Sequence, residues 1–185
     1  MPHPRIAITG DIGSGKSAVG KLLRERLGYA FFSTGDFQRQ LAAQRGMTTL
    51  ELNQYAERHP EIDREIDGMT VSLDRDHDAP FVIDSRIAWH FIPSAFKVYL
   101  AVDPEVAVRR IMGAGRATER FATLEAGLAD VRSRRASEIA RFRDTYGIDL
   151  GDMANFDLVV DTSHLTPDDV VTQVIAALEA WRAAR

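Results

Sequence analysis

Eight residues near the start of the chain, Gly10-Asp11-Ile12-Gly13-Ser14-Gly15-Lys16-Ser17, have types and spacing suited to phosphate chemistry. Glycine at the first, fourth and sixth places permits backbone angles and close approaches that a side chain would block. Successive N–H groups can then face phosphate oxygens at a helix N-terminus, where the helix dipole favours anions. Lys16 can reach β- and γ-phosphates, and the Ser17 hydroxyl can hold Mg²⁺. An apolar run at 5–9 precedes the loop and a helical pattern at 18–23 follows it. That strand–loop–helix setting favours a nucleoside-triphosphate site over a chance glycine-rich turn. The site is expected to engage ATP through Gly10, Asp11, Ile12, Gly13, Ser14, Gly15, Lys16, Ser17 and Ala18.

Two further clusters follow short apolar runs. Residues 33–39 read Ser-Thr-Gly-Asp-Phe-Gln-Arg. A helix N-terminus capped by Ser33 or Thr34, with Asp36 in its first turn, accounts for the early residues. It does not account for Arg39, a cation placed against the dipole, whose guanidinium would instead suit bidentate pairing with a phosphate. Residues 81–86 read Phe-Val-Ile-Asp-Ser-Arg. Asp84 at the end of an apolar strand suits an acid that orients Mg²⁺ or its waters, with Arg86 at the same edge. The alternative is an Asp that caps the following turn and an Arg in solvent.

These clusters need a scaffold that brings strand ends together. Strand-like runs recur at 6–9, 30–32, 81–84, 96–102 and 158–161, separated by helical stretches. The alternation predicts a parallel sheet with helices on both faces, and ligands bind such sheets beyond the carboxyl ends of the strands. A final helix is predicted after Thr166, with Pro167 in its first turn and Asp169 completing a capping box. Val170, Val171, Val174, Ile175 and Leu178 form its buried stripe. Residues 34–78 read as an insert of several short helices, and 113–146 as a lid with one long Arg-rich helix. Both are extensions of one domain spanning 1–185 and suit specificity or closure.

Composition narrows the partners. The chain has 185 residues, 45% hydrophobic and 27% charged, with net charge −4, which gives no support for nucleic-acid or membrane binding. With no cysteine, disulfides and thiol chemistry are excluded. No signal-like start or membrane-length apolar run is seen, so a soluble, cytoplasmic monomer is expected. The histidines at 3, 59, 77, 90 and 164 lack metal-ligand spacing. Trp89 and Phe91 are expected to pack under the insert.

The sequence resembles nucleoside monophosphate kinases, most closely the short, archaeal-type cytidylate kinase family. The resemblance rests on Ser33–Arg39, on Pro60-Glu61-Ile62-Asp63-Arg64-Glu65-Ile66-Asp67, on Arg141 with Tyr146-Gly147-Ile148-Asp149, and on Asp157-Leu158-Val159-Val160-Asp161-Thr162. It covers nearly the whole chain. It implies the three-layer P-loop kinase fold, an α/β architecture whose five parallel strands run in the order 2-3-1-4-5. The implied reaction moves the γ-phosphoryl group of ATP to CMP or dCMP, with Mg²⁺ near Ser17 and Asp84. Lys16, Asp84, Arg116, Arg134 and Arg141 are the implied catalytic set. Arg110 and Thr162 are expected beside the donor nucleotide. Ser33, Thr34, Asp36, Arg39, Asp63, Asp67 and Arg86 are expected around the acceptor. A carboxylate at 63 or 67 could accept from the cytosine amino group, although both could equally lie on a solvated helix face. Asp84-Ser85-Arg86 departs from the family's Glu-Gly-Arg, which leaves acceptor choice open. A different acceptor, or a binding module without turnover, are the competing readings.

Overall fold

The structure is a computed structural model that describes residues 4–56, 58–113 and 121–185. Five strands, β1 (Arg5–Gly10), β2 (Ala30–Ser33), β3 (Phe81–Asp84), β4 (Phe96–Ala101) and β5 (Leu158–Asp161), form one parallel sheet. Its order is β2-β3-β1-β4-β5, the order that the resemblance implied. β1 is central, and its alternation sorts the core. Ile6 and Ile8 point to one face, where they pack with Val19 and Leu23 of α1 (Lys16–Leu27) and Val171 and Val174 of α8 (Pro167–Ala183). Ala7 points to the other face, with Ile83, Trp89 and Phe142. A strand buried on both faces must be apolar throughout, as β1 is over 6–8.

The stretch 34–78 folds as α2 (Thr34–Gln44), α3 (Thr49–Ala56) and α4 (Pro60–Asp76) around Leu41, Leu52, Ile62 and Ile66. α4 is longer than the short helices expected there. Pro60 starts it, Glu61 and Asp63 occupy its first turn, and Ile62, Ile66 and Thr70 carry its buried stripe through three turns. After the short α5 (Ala88–Phe91) and β4 come α6 (Pro104–Gly113) and α7 (Leu124–Tyr146). Thr123 caps α7 by accepting from the Ala126 N–H at 3.1 Å, and Gly147 ends it in the left-handed conformation. α8 has the full Thr166/Asp169 capping box expected of it.

α7 must lie close to α6 and the loop after β1, and a glycine permits it. A Cβ built on Gly127 would stand 2.4 Å from Val108 Cγ1 and 2.9 Å from Phe121 Cδ2. Val108 is fully buried and has nowhere to go. Gly68, on the exposed side of α4, has nothing within 4 Å of its Cβ position. Two substitutions of one chemistry should therefore differ in sign. Gly68→Ala should stabilise by about 0.5–1 kcal/mol through helix propensity, and Gly127→Ala should destabilise by about 1–3 kcal/mol through overpacking. Denaturant unfolding measures both; stabilisation by both would show that α7 does not pack this tightly.

Candidate active site

The carboxyl ends of β1, β2 and β3 meet at one edge. Register pairs Ile8 with Asp84 and Ser33 with Asp84, so the loop after β1, the Ser33–Arg39 segment and the Asp84–Arg86 turn are neighbours. Gly10 ends β1 with φ 151°, and a Cβ there would lie 2.2 Å from the Leu100 carbonyl oxygen. Gly13 and Gly15 also have positive φ, 80° and 89°. Lys16 folds back beneath the loop and donates from Nζ to the carbonyls of Gly10 at 3.0 Å and Asp11 at 2.7 Å. Burial, aided by the Arg86 charge, lowers its ammonium pKa to about 7. The Ser17 hydroxyl donates to Asp84 Oδ2 at 2.6 Å.

Arg86 sits across this loop. Its Nη1 donates to the Gly10 carbonyl at 3.2 Å and its Nε to Glu138 Oε1 of α7 at 3.1 Å. The turn that carries Arg86 is fixed from three sides. Thr9 Oγ1 donates to the Ser85 carbonyl at 2.7 Å, Trp89 Nε1 donates to the Arg86 carbonyl at 3.1 Å, and the Ser85 hydroxyl accepts from the N–H groups of Ile87 and Ala88. Ser85, where the resembling family has Gly, is therefore buried and engaged as a cap for α5. Trp89 holds this turn and packs on Phe156.

Arg39 pairs with Asp36, both exposed, three residues apart on α2. Ser33 precedes α2 without a side-chain capping bond, while Thr34 Oγ1 reaches the Asp84 carbonyl at 3.4 Å. Asp63 and Asp67 are not on a solvated face. Asp63 Oδ2 lies 3.7 Å from Arg141 Nε of α7. Asp67 is 9% exposed and accepts from the Tyr146 hydroxyl at the end of α7. Burial, with the Asp63 charge adding to it, pushes the Asp67 carboxyl up to about 6. On the opposite side, Arg110 donates to Thr162 Oγ1 at 3.1 Å and to its carbonyl at 2.6 Å. Thr162 Oγ1 in turn lies 3.2 Å from the Ser14 carbonyl, which ties this corner to the loop.

Of the arginines expected over the phosphates, Arg116 lies outside the described residues. Arg134 stands against Asp130 one turn back, at 3.6 Å. Arg135, expected only as one of a group of arginines on this helix, and Glu138, which was not expected, are the α7 residues that reach the loop and Arg86. A partial signal was available: they share a helical face with Phe142, but Arg134 lies close to the same face, and the sequence does not separate the two arginines. Among the described residues no group of three His, Cys, Asp or Glu could hold a metal ion, and no helix is long and apolar enough to cross a membrane.

Residues 5–164 match the cytidylate kinase-like family. A cytidylate kinase from Archaeoglobus fulgidus is 35% identical over 176 residues, covering 95% of this chain and 94% of that protein. An S-adenosylmethionine-dependent nucleotide dehydratase from Lacinutrix mariniflava is 37% identical over 172 residues; the match covers 92% of this chain but spans only 35% of that protein. In fold, a shikimate kinase from Bacteroides thetaiotaomicron superposes with a TM-score of 0.66 at 18% identity, covering 95% of this chain and 98% of that one.

Two titrations follow from the geometry. Lys16 is largely neutral at pH 8 in the empty loop, and a bound polyphosphate restores its charge, so MgATP binding should take up a sizeable fraction of a proton at pH 8 and little at pH 6. Calorimetry in buffers of different ionisation enthalpy reads this directly; equal uptake at both values would mean the ammonium is already charged. For Asp67 the folded protein favours the protonated form. The stability that this supplies is complete below the ordinary carboxylate value of 3.8 and is lost as pH rises through 6. Asp67→Asn should therefore raise the melting temperature at pH 7.5, by roughly 2–5 °C, and flatten its pH dependence between 4 and 6.

Proposed function

The chain belongs to the cytidylate kinase-like family and is a phosphotransferase, and we propose that it transfers the γ-phosphoryl group of ATP to CMP or dCMP. The observation that carries the choice of acceptor is the pair Asp63 and Asp67 on α4, the first half-buried and the second buried, facing Arg141 and Tyr146 of α7. Asp63 beside Arg141 sets an acceptor next to a donor. Cytosine offers a matching amino donor at its 4-position, with acceptors adjacent; uracil puts a carbonyl where the amino group would be. Tyr146 holds Asp67 and, through it, the angle of α4.

Transfer of this kind needs alignment and charge neutralisation more than covalent help. The loop 10–18 cradles the donor phosphates, with Lys16 turning from carbonyls to phosphate oxygens. Arg110 and Thr162 frame the purine side. Arg39 and Arg86 hold the acceptor phosphate, each exchanging a carboxylate, Asp36 or Glu138, for it. Of the arginines expected to be catalytic, Arg141 stands on the acceptor side beside Asp63, and Arg134 would have to leave Asp130 to reach the phosphates. The Ser17 hydroxyl and the Asp84 carboxylate, 2.6 Å apart, are hard oxygen donors that fit Mg²⁺ with phosphates and water completing its shell. Mg²⁺ supplies charge neutralisation on the donor oxygens.

ADP release with a panel of acceptors tests the reading. CMP and dCMP should exceed UMP in kcat/KM by roughly 10²-fold or more, and Asp63→Asn should erase most of that ratio while sparing ATP binding. A better rate with UMP, AMP or a non-nucleotide alcohol would reject cytidylate as the acceptor.

A further inference from the structure

The second residue of the phosphate-binding loop is a carboxylate, which is the wrong charge for that place. Asp11 would repel an incoming triphosphate across a few ångströms of partly dehydrated space. Its surroundings deal with this in a specific way. The Asp11 N–H donates to the Leu100 carbonyl at 2.9 Å, away from the loop's concavity. Its carboxylate faces β4: Oδ1 accepts from the Tyr99 hydroxyl at 2.6 Å and Oδ2 from the Val102 N–H at 3.2 Å. Arg135 reaches in from α7, with Nε 3.9 Å from Asp11 Oδ1. Its Nη2 donates to the Tyr99 hydroxyl at 2.8 Å and to the Leu150 carbonyl at 3.2 Å, and the guanidinium lies 5.8 Å from the centre of the Tyr99 ring.

The Tyr99 hydroxyl therefore accepts from the arginine and donates to the aspartate. Burial raises its pKa well beyond the ordinary phenol range, so it stays a donor at every working pH. The order of the chain of contacts matters. Arg135 is not turned toward the loop's open side; both hydrogen bonds of its Nη2 go to groups behind the loop. A cation placed there cancels the field of Asp11 without needing to touch a phosphate.

We propose that Arg135, acting through the Tyr99 hydroxyl, screens the Asp11 carboxylate from the donor triphosphate and thereby sets the affinity of the loop for ATP. Arg135 and Tyr99 are then positioning residues, and the lid helix contributes to donor binding from behind the loop. This rests on the reading of the loop as the ATP site.

Calorimetric titration with MgATP distinguishes screening from the alternatives, using Arg135→Gln and Tyr99→Phe, each alone and each combined with Asp11→Asn. Each single substitution should weaken MgATP about tenfold or more, a change of about 1.4 kcal/mol. Adding Asp11→Asn should restore affinity to within about threefold of the parent, because the charge that needed screening is gone. A loss that persists in the double variants would mean that Arg135 grips phosphate itself or that α7 has shifted, and would overturn the proposal. So would an unchanged affinity in Arg135→Gln. Should Tyr99→Phe fail to fold, judged by circular dichroism, the partly exposed Arg135 pair of variants decides alone. A parent protein that binds no MgATP would refute the donor site itself, a result distinct from failed rescue.

Discussion

Two basic side chains converge on one carbonyl at the end of the central strand: Lys16 Nζ at 3.0 Å and Arg86 Nη1 at 3.2 Å from the Gly10 oxygen. Carboxylates around them offset the repulsion, Glu138 on Arg86 and Asp84 and Asp11 near Lys16, while burial and then the Arg86 charge lower the Lys16 pKa. The arrangement is possible because Gly10 has no side chain. Its Cβ position is filled by the backbone of Leu100, so only glycine lets the loop lie this close to β4. A polyphosphate entering this place, as proposed, would meet donors already gathered on one side of the loop, so little of its stabilisation would go into collecting them.

Four arginines near the loop and the proposed acceptor side each have an internal carboxylate, whereas Arg110 is held by the Thr162 hydroxyl and carbonyl. Arg39 has Asp36, Arg86 has Glu138, Arg135 has Asp11 and Arg141 has Asp63. Exposed pairs such as Arg39–Asp36 contribute only about 0–1 kcal/mol, so exchanging the carboxylate for a phosphate dianion costs little and gains a doubly charged partner. Buried members behave differently. Glu138 keeps one oxygen, Oε2, with no hydrogen-bond partner in a buried position, and an unsatisfied buried acceptor costs on the order of 1–3 kcal/mol. The structure thus holds its cations apart with partners of unequal strength, weakest where the acceptor phosphate is proposed to arrive.

Much of this could be read from the chain alone. The apolar run of 5–9, the glycines of the loop and the acid ending β3 rest on local rules, and the sheet order came through resemblance. The loop's polar partners were harder to read because they come from far along the chain. Asp11 and Tyr99 are 88 residues apart in sequence, and Arg86 and Glu138 are 52 apart. Periodicity marks which face of α7 is buried but not what it is buried against. On that basis Arg134, seven residues from Arg141, looked as good as Arg135, and only the packing of Phe142 against β3 and α5 residues separates them. Asp63 and Asp67 were ambiguous for the same reason: a carboxylate on a helix looks solvated until another helix covers it.

α7 is the element that makes these distant residues one site. Arg135, Glu138, Arg141 and Tyr146 contact, in order, the loop at Asp11, the strand-end turn at Arg86, and α4 at Asp63 and Asp67. Eleven residues of helix extend about 16 Å, enough to run from the donor loop to the acceptor helix. A rigid rod with contacts at both ends transmits displacement: replacing Glu138 on Arg86 by a phosphate changes what the middle of the helix is held by, while its start is anchored at Gly127 against Val108. The helix that neutralises the Asp11 carboxylate is thus the same one that reaches Arg86 and α4. Placing donor and acceptor contacts on separate elements would have left the two phosphates to be aligned independently. A single helix fixes the relative position of the loop, the strand-end turn and α4.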